Sequence, residues 1–327
     1  MMKIIKRIVS CIIVVSMIIV IIEYAGSVCG PLYTGDAFNA IDAFHEIPED
    51  SVEVMVYGSS HAWKGFDVMH MYEMYGIGAY NYGCNWQHIN TTSLFIEDSL
   101  RTQTPKVICI ETWKVNEILS DIDMNGEIYY TKAIPSFDAK KEYLDQCFAG
   151  DFDRYLTYYI PLVAFHSNWN NLTQWNFMNP TDDFDFTKTM GYLGNGTIKE
   201  VDMLDYTQFE QKELSEDAKA VLDNIVKICK EKNIEIIFYT APSGYEYNYS
   251  EAMRKYSEEN GCVYINLYEK LEEMQMDGTC EFQDVGHLNA IGSKKVAEYI
   301  GNYIIENYNV TDMRKNPENQ WGANLVR

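Results

Sequence analysis

Residues 52–61 read Val-Glu-Val-Met-Val-Tyr-Gly-Ser-Ser-His, and the fold is decided there. Val52 to Tyr57 is a short apolar, β-branched run, the pattern of a strand buried on both faces of a parallel sheet. Gly58 ends it, Ser59 and Ser60 open a helix, and a helical pattern follows through Phe66–Tyr75.

The same alternation extends outward from this point. Gly78 to Tyr82 reads as a short strand, 89–102 as a helix closed by Pro105, and Val107 to Ile110 as a third strand. Further on, Leu214 to Lys230 is amphipathic, with Ala218, Val221, Leu222, Ile225 and Ile228 on one side. Ile234 to Thr240 is a strand ending at Ala241-Pro242. A helix at 246–259, a strand at Val263–Leu267 and a last helix at Ala290–Tyr308 complete the series. Strands alternating with helices predict an α/β domain with a parallel sheet covered by helices.

Residues 115–205 break the rhythm. They are rich in Asp, Asn, Tyr and Trp, and no clear linker bounds them, so they read as an insertion carried by the α/β core. Residues 31–50 read as a connector, and there are no internal repeats.

At the N-terminus, Lys3, Lys6 and Arg7 precede fifteen residues, Ile8 to Ile22, broken only by Ser10 and Ser16. With Ile4, Ile5 and Tyr24 added and the lysines snorkelling, the helix reaches across a bilayer. Basic residues before the run keep that end in the cytoplasm and send residues 31–327 outward. Ala25-Gly26-Ser27 offers small residues to a signal peptidase, whereas Val28 before Cys29 departs from a lipoprotein box. Residues 1–30 are therefore expected to be an uncleaved signal-anchor, with the domain on the extracytoplasmic side.

Composition narrows the function. The net charge of -22 argues against nucleic acid, which needs clustered Lys and Arg. The eight cysteines form no CxxC pattern and read mainly as small hydrophobes, though Cys262 and Cys280 could form one bridge. Six scattered histidines give no metal spacing. No glycine-rich phosphate loop occurs, so no cofactor is expected.

In open parallel sheets, reactive groups gather at the carboxyl ends of the strands. Ser60 stands at the end of the first strand and the start of a helix, where backbone N–H groups and the helix dipole favour a developing oxyanion. A serine nucleophile needs a base, and the base needs an orienting partner. Asp284-Val285-Gly286-His287-Leu288-Asn289, before the last helix, supplies both: His287 as base and Asp284 as partner. Without chemistry, each piece would be no more than a helix cap. His61 reads as structural or substrate-lining. Trp113 and Tyr245 are placed to line the cleft, with Tyr247 near its mouth. His166 and Trp169 read as insertion packing, or as an aromatic shelf for sugar rings.

Val-Tyr-Gly-Ser-Ser-His-Ala-Trp-Lys-Gly-Phe-Asp (56–67) resembles the first block of SGNH/GDSL hydrolases, in the bacterial branch that writes Gly-Ser-Ser. Asp284 to Asn289, then Gly292, resembles the terminal Asp-x-x-His block, and Asn81-Tyr82-Gly83 the second block with its oxyanion glycine. His166-Ser167-Asn168-Trp169 resembles a segment recurring in membrane-anchored members. The resemblance spans most of 50–305 and implies a flavodoxin-like three-layer α/β/α sandwich. It also implies that Ser60 attacks an ester, with His287 as general base and acid and Asp284 orienting it. Backbone N–H groups of Ser60 and Gly83 would bind the oxyanion.

Two positions depart from the family pattern. The third block, where an asparagine donor is usual, reads Glu111-Thr112-Trp113-Lys114; Asn85 or Asn116 could substitute, or the hole has two donors. One such donor is worth about 2.7–4 kcal/mol. Ser59 replaces the usual Asp of the first block. The resemblance and the anchor together imply an esterase or O-acyltransferase acting on acylated cell-envelope glycan, as in relatives that D-alanylate teichoic acid or acetylate exopolysaccharide. The alternative is a non-catalytic SGNH-like module that binds glycan or scaffolds a membrane O-acyltransferase.

Overall fold

Five strands form one all-parallel sheet in the order β2-β1-β3-β4-β5. They are β1 (Val54–Tyr57), β2 (Ala79–Asn81), β3 (Val107–Glu111), β4 (Glu235–Thr240) and β5 (Val263–Asn266). The computed structural model describes residues 2–31, 35–118, 127–128, 131–178 and 184–315. Residues 119–126, 129–130 and 179–183 of the expected insertion lie outside the described residues.

The apolar runs explain the sheet. Every side chain of β1, β2 and β3 is buried, as parallel strands require when both faces are covered. Val56 pairs with Asn81 on one side and Cys109 on the other, so β1 is central and its carboxyl end sits between those of β2 and β3. Burying each large apolar side chain contributes roughly 1.5–3 kcal/mol.

Parallel strands need crossover connections, and helices supply them here. Ser60–Gly65 and Val68–Tyr75 follow β1 and pack against the last helix, Ala290–Asn307. Ile89–Ser99 follows β2 and packs against Glu216–Glu231, which precedes β4; Ser250–Asn260 packs on β4 and β5. This is a three-layer α/β/α arrangement, and the strand order is the flavodoxin-like one whose chain reverses direction beside β1. Ligands in such sheets bind at that reversal, at the carboxyl ends of the strands.

Helix ends follow local chemistry. Ser215 caps Glu216–Glu231 by accepting from the Ala218 N–H, and Gly76 and Gly261 end their helices in the left-handed conformation. The pattern expected over Phe66–Tyr75 is the helix Val68–Tyr75, capped by Asp67, which accepts from the His70 N–H, and the helix that Ser60 opens is a separate one of six residues, Ser60–Gly65.

Contacts divide the chain into two units, 1–39 with 123–183, and 40–122 with 184–327. The sheet and its helices belong to the second. The first contains Met2–Cys29, a 28-residue helix long and apolar enough to cross a membrane. With it go the helices Phe137–Phe148, Phe152–Tyr159, Pro161–Phe165 and Gln174–Met178. The expected insertion thus divides: 123–183 groups with the N-terminal helix, while 115–122 and 184–205 group with the sheet. Cys262 and Cys280 are not bridged and are free thiols.

Candidate active site

The chain leaves β1 through Gly58, whose φ of 141° only glycine adopts easily. A Cβ there would also come within 2.6 Å of the Glu111 Cβ, so the end of β3 approaches closely. Ser59 is the N-cap of Ser60–Gly65, its Oγ accepting from the His61 N–H at 3.3 Å. The same hydroxyl donates to Glu111 Oε2 at 3.0 Å, while Glu111 Oε1 accepts from the Trp113 N–H at 2.7 Å. Glu111 thus ties the first turn of the Ser60 helix to the loop after β3.

Ser60 is the first residue of that helix, and its Oγ lies 2.7 Å from His287 Nε2. His287 Nδ1 lies 2.9 and 3.0 Å from the two Asp284 oxygens. Asp284 Oδ1 also accepts from the backbone N–H of Gly286 at 2.8 Å and of His287 at 3.0 Å. A carboxylate facing Nδ1 assigns the proton to Nδ1 and leaves the Nε2 lone pair for the serine hydroxyl.

The loop carrying His287 is held from several sides. Asn289 caps Ala290–Asn307 by accepting from the N–H groups of Ile291 and Gly292 at 2.8 and 3.2 Å. Its amide donates to the carbonyls of Thr197, Cys280 and Phe282 at 3.0, 2.8 and 3.1 Å. The Gly244 N–H adds a bond to the Val285 carbonyl at 2.7 Å.

Electrostatics suit a base at neutral pH. Burial lowers the His287 pKa below its usual 6.5 and the Lys64 charge lowers it further, with Asp284 opposing both. The imidazole is therefore neutral at pH 7. For Asp284, burial pushes upward but is outweighed by the bonds from His287 and the Gly286 N–H, so its carboxyl is held below the usual range. Burial raises Glu111 to about 7, only partly offset by its bonds from Trp113 and Ser59 and by Lys114.

His61 is buried and stacks on Trp113, ring centroids 4.4 Å apart, with its ring 5.3 Å from that of His287. Burial first, then His287 and Lys114, lower its pKa far below 6.5, so it is a neutral, apolar-packed group. Trp113 continues to Tyr247 at 6.0 Å and Tyr245 at 6.4 Å, forming an aromatic wall. Tyr247 is buried, its hydroxyl donating to the Thr112 carbonyl; Tyr245 is exposed, against Gly286.

The expected oxyanion donors fare differently. The Gly83 N–H donates to Asn81 Oδ1 at 3.1 Å. Gly83 is glycine for another reason: a Cβ would lie 2.9 Å from the Trp63 nitrogen and 3.1 Å from the Gly58 carbonyl. Asn116 is also engaged, donating to the Tyr249 hydroxyl at 3.3 Å and accepting from the Ser215 N–H at 2.6 Å. These bonds place it at the start of the helix Glu216–Glu231. Asn85, half-buried after β2, has no side-chain hydrogen bond among the described residues. Lys114 lies over the neighbouring Trp86 ring at 4.5 Å, so the loops after β2 and β3 meet there.

Two residues escaped the sequence reading. One is Glu111, met above. The other is buried Asn81, whose amide donates to the Ala62 and Phe66 carbonyls at 2.9 and 3.0 Å and so pins the Ser60 helix. A polar residue ending an otherwise apolar strand was the available signal at both positions.

No family model matches the chain, and no curated protein matches it. Among solved structures, a candidate acylhydrolase from Bacteroides fragilis is similar over 80% of this chain and 92% of its own, at 11% identity and a TM-score of 0.38.

Proposed function

We propose that the chain is a membrane-tethered serine esterase or O-acyltransferase that works through an acyl-enzyme on Ser60. The observation that carries this reading is the continuous line of hydrogen bonds from Ser60 Oγ through His287 to Asp284, 2.7 and 2.9 Å long.

In the first half-reaction, Ser60 Oγ attacks the acyl carbonyl as its proton passes to His287 Nε2. Asp284 stabilises the resulting imidazolium. Collapse of the tetrahedral intermediate breaks the ester bond, and Nε2 returns the proton to the leaving alkoxide. In the second half-reaction, water or a sugar hydroxyl gives its proton to Nε2 and attacks acyl-Ser60; the acyl–Oγ bond then breaks, Nε2 returns the proton to Ser60 Oγ, and an acid or a new ester is released. The Ser60 N–H, at the helix start, is one oxyanion donor, and Asn85 is the side-chain candidate for another.

The substrate class we infer is an acylated cell-envelope glycan, met on the extracytoplasmic side. The aromatic wall of Trp113 and Tyr245 suits the face of a sugar ring, and the basic residues before the apolar helix suit an anchor with that orientation. A membrane O-acyltransferase is a fitting partner if the reaction is transfer.

A fluorophosphonate probe tests the reading on the full chain in detergent. Wild type is expected to label, with both Ser60→Ala and His287→Ala abolishing the label. A folded wild type that stays unlabelled would favour the non-catalytic glycan-binding or scaffold role, for which the engaged Gly83 N–H is the relevant observation.

A further inference from the structure

The unit formed by 1–39 and 123–183 contains a surface that the proposed chemistry does not use. Residues 161–178, Pro-Leu-Val-Ala-Phe-His-Ser-Asn-Trp-Asn-Asn-Leu-Thr-Gln-Trp-Asn-Phe-Met, contain no Asp, Glu, Lys or Arg, in a chain that is 23% charged. Within them, Trp169 is 67% exposed, Phe177 58%, Trp175 50% and Val163 41%. Trp169 is therefore not packed inside the insertion.

These residues sit on segments fastened to the end of Met2–Cys29. The last carbonyls of a helix lack intrahelical partners. Here Asn168 donates to the Cys29 carbonyl at 3.0 Å and Asn176 to the Val28 carbonyl at 2.9 Å. The helix Pro161–Phe165 approaches at Gly26, where a Cβ would lie 3.0 Å from the Leu162 nitrogen. The level of this packing along the membrane normal follows from charge. Lys132 pairs with Glu23 at 3.0 Å, and such an ion pair belongs outside the hydrocarbon. Ile21 and Tyr24, just before and after it, are exposed. At a rise of about 1.5 Å per residue, Gly26–Cys29 lies within about 10 Å of Glu23, in the headgroup layer.

We propose that residues 161–178 rest in the lipid headgroup layer of the leaflet from which Met2–Cys29 emerges, with Trp169, Trp175, Phe177 and Val163 contacting lipid. Tryptophan prefers that layer because its ring is apolar and its indole N–H finds a polar partner. The absence of charge in the segment means that contact depends on neither anionic lipid nor low salt. The consequence is a unit seated on the membrane rather than hung from a free tether. This rests on the reading of Met2–Cys29 as membrane-spanning, and is independent of the chemistry at Ser60.

The full chain is reconstituted in phosphatidylcholine nanodiscs with or without bromine on the upper acyl carbons, and tryptophan fluorescence is recorded. Incorporation that survives alkaline carbonate establishes the spanning helix; failure to incorporate overturns both readings together. With the chain incorporated, brominated lipid is expected to quench wild type. Trp169→Phe combined with Trp175→Phe is expected to lose most of that quenching. Adding Val163→Trp to the double variant should restore part of it, which guards against a general disturbance of folding. Quenching of Trp169 and Trp175 by aqueous iodide but not by brominated lipid would overturn the proposal alone, since the surface would then face water.

Discussion

At the scale of single residues, the carboxyl of Glu111 illustrates how a site is held by a group that does no chemistry. It is 4% exposed, receives bonds from Ser59 and the Trp113 N–H, and is raised to about 7 chiefly by burial. Lys114 faces it as the nearby cation, and the phenols of Tyr239, Tyr247 and Tyr268 surround it without charge at neutral pH. The sign of the linkage is definite. Between its ordinary value of 4.5 and about 7, the folded chain holds a proton that the unfolded chain has released, so stability falls as pH rises through that window. The effect is about 3 kcal/mol as an order of magnitude. Glu111→Gln keeps an acceptor for Trp113 and a polar partner for Ser59 while removing the titration. Its unfolding midpoint should therefore change less than wild type's between pH 4.5 and 7, as followed by circular dichroism. Parallel curves for the two proteins would show that Glu111 does not titrate there. This bond was not legible in the sequence, because it joins residues 52 apart whose meeting depends on the register of β1 and β3.

At the scale of elements, strands were the most legible feature. Val54–Tyr57 and residues 107–110 and 236–239 are apolar and buried, and burial on both faces leaves little else for them to be. Ser60–Gly65 was harder to see because six residues are too few to show a helical period. The loop with Asp284 and His287 was marked by its place before a strong helix, but the hold on that loop was not: Asn289 reaches Thr197 across 92 residues. Asn289→Ala removes a cap, typically about 1 kcal/mol, and leaves buried carbonyls without their donor, roughly 1–3 kcal/mol more. Chemical denaturation should show a loss of about 2–4 kcal/mol. Probe labelling of Ser60 should slow as His287 loses its fixed position. Labelling unchanged at wild-type rate would mean the loop is held by its other bonds.

At the scale of the whole molecule, the chain divides its work between two units. One carries the sheet and the Ser60–His287–Asp284 line; the other carries the apolar helix and an uncharged, tryptophan-bearing segment. The segment 115–205 was the least legible part of the sequence because its partners lie far away in the chain. Asn168 and Asn176 bond to carbonyls 139 and 148 residues earlier. No local period can report such contacts, whereas the α/β rhythm reports itself every few residues. The central claim, an acyl-enzyme on Ser60, is tested most directly by incubating the full chain with an activated acetyl ester, quenching in acid and mapping acetylated peptides by mass spectrometry. The account predicts an acetyl group on Ser60 in wild type, absent from His287→Ala and discharged when water or a sugar hydroxyl is allowed to react. A folded wild type that carries no acetyl on Ser60, or carries it equally without His287, would contradict the account.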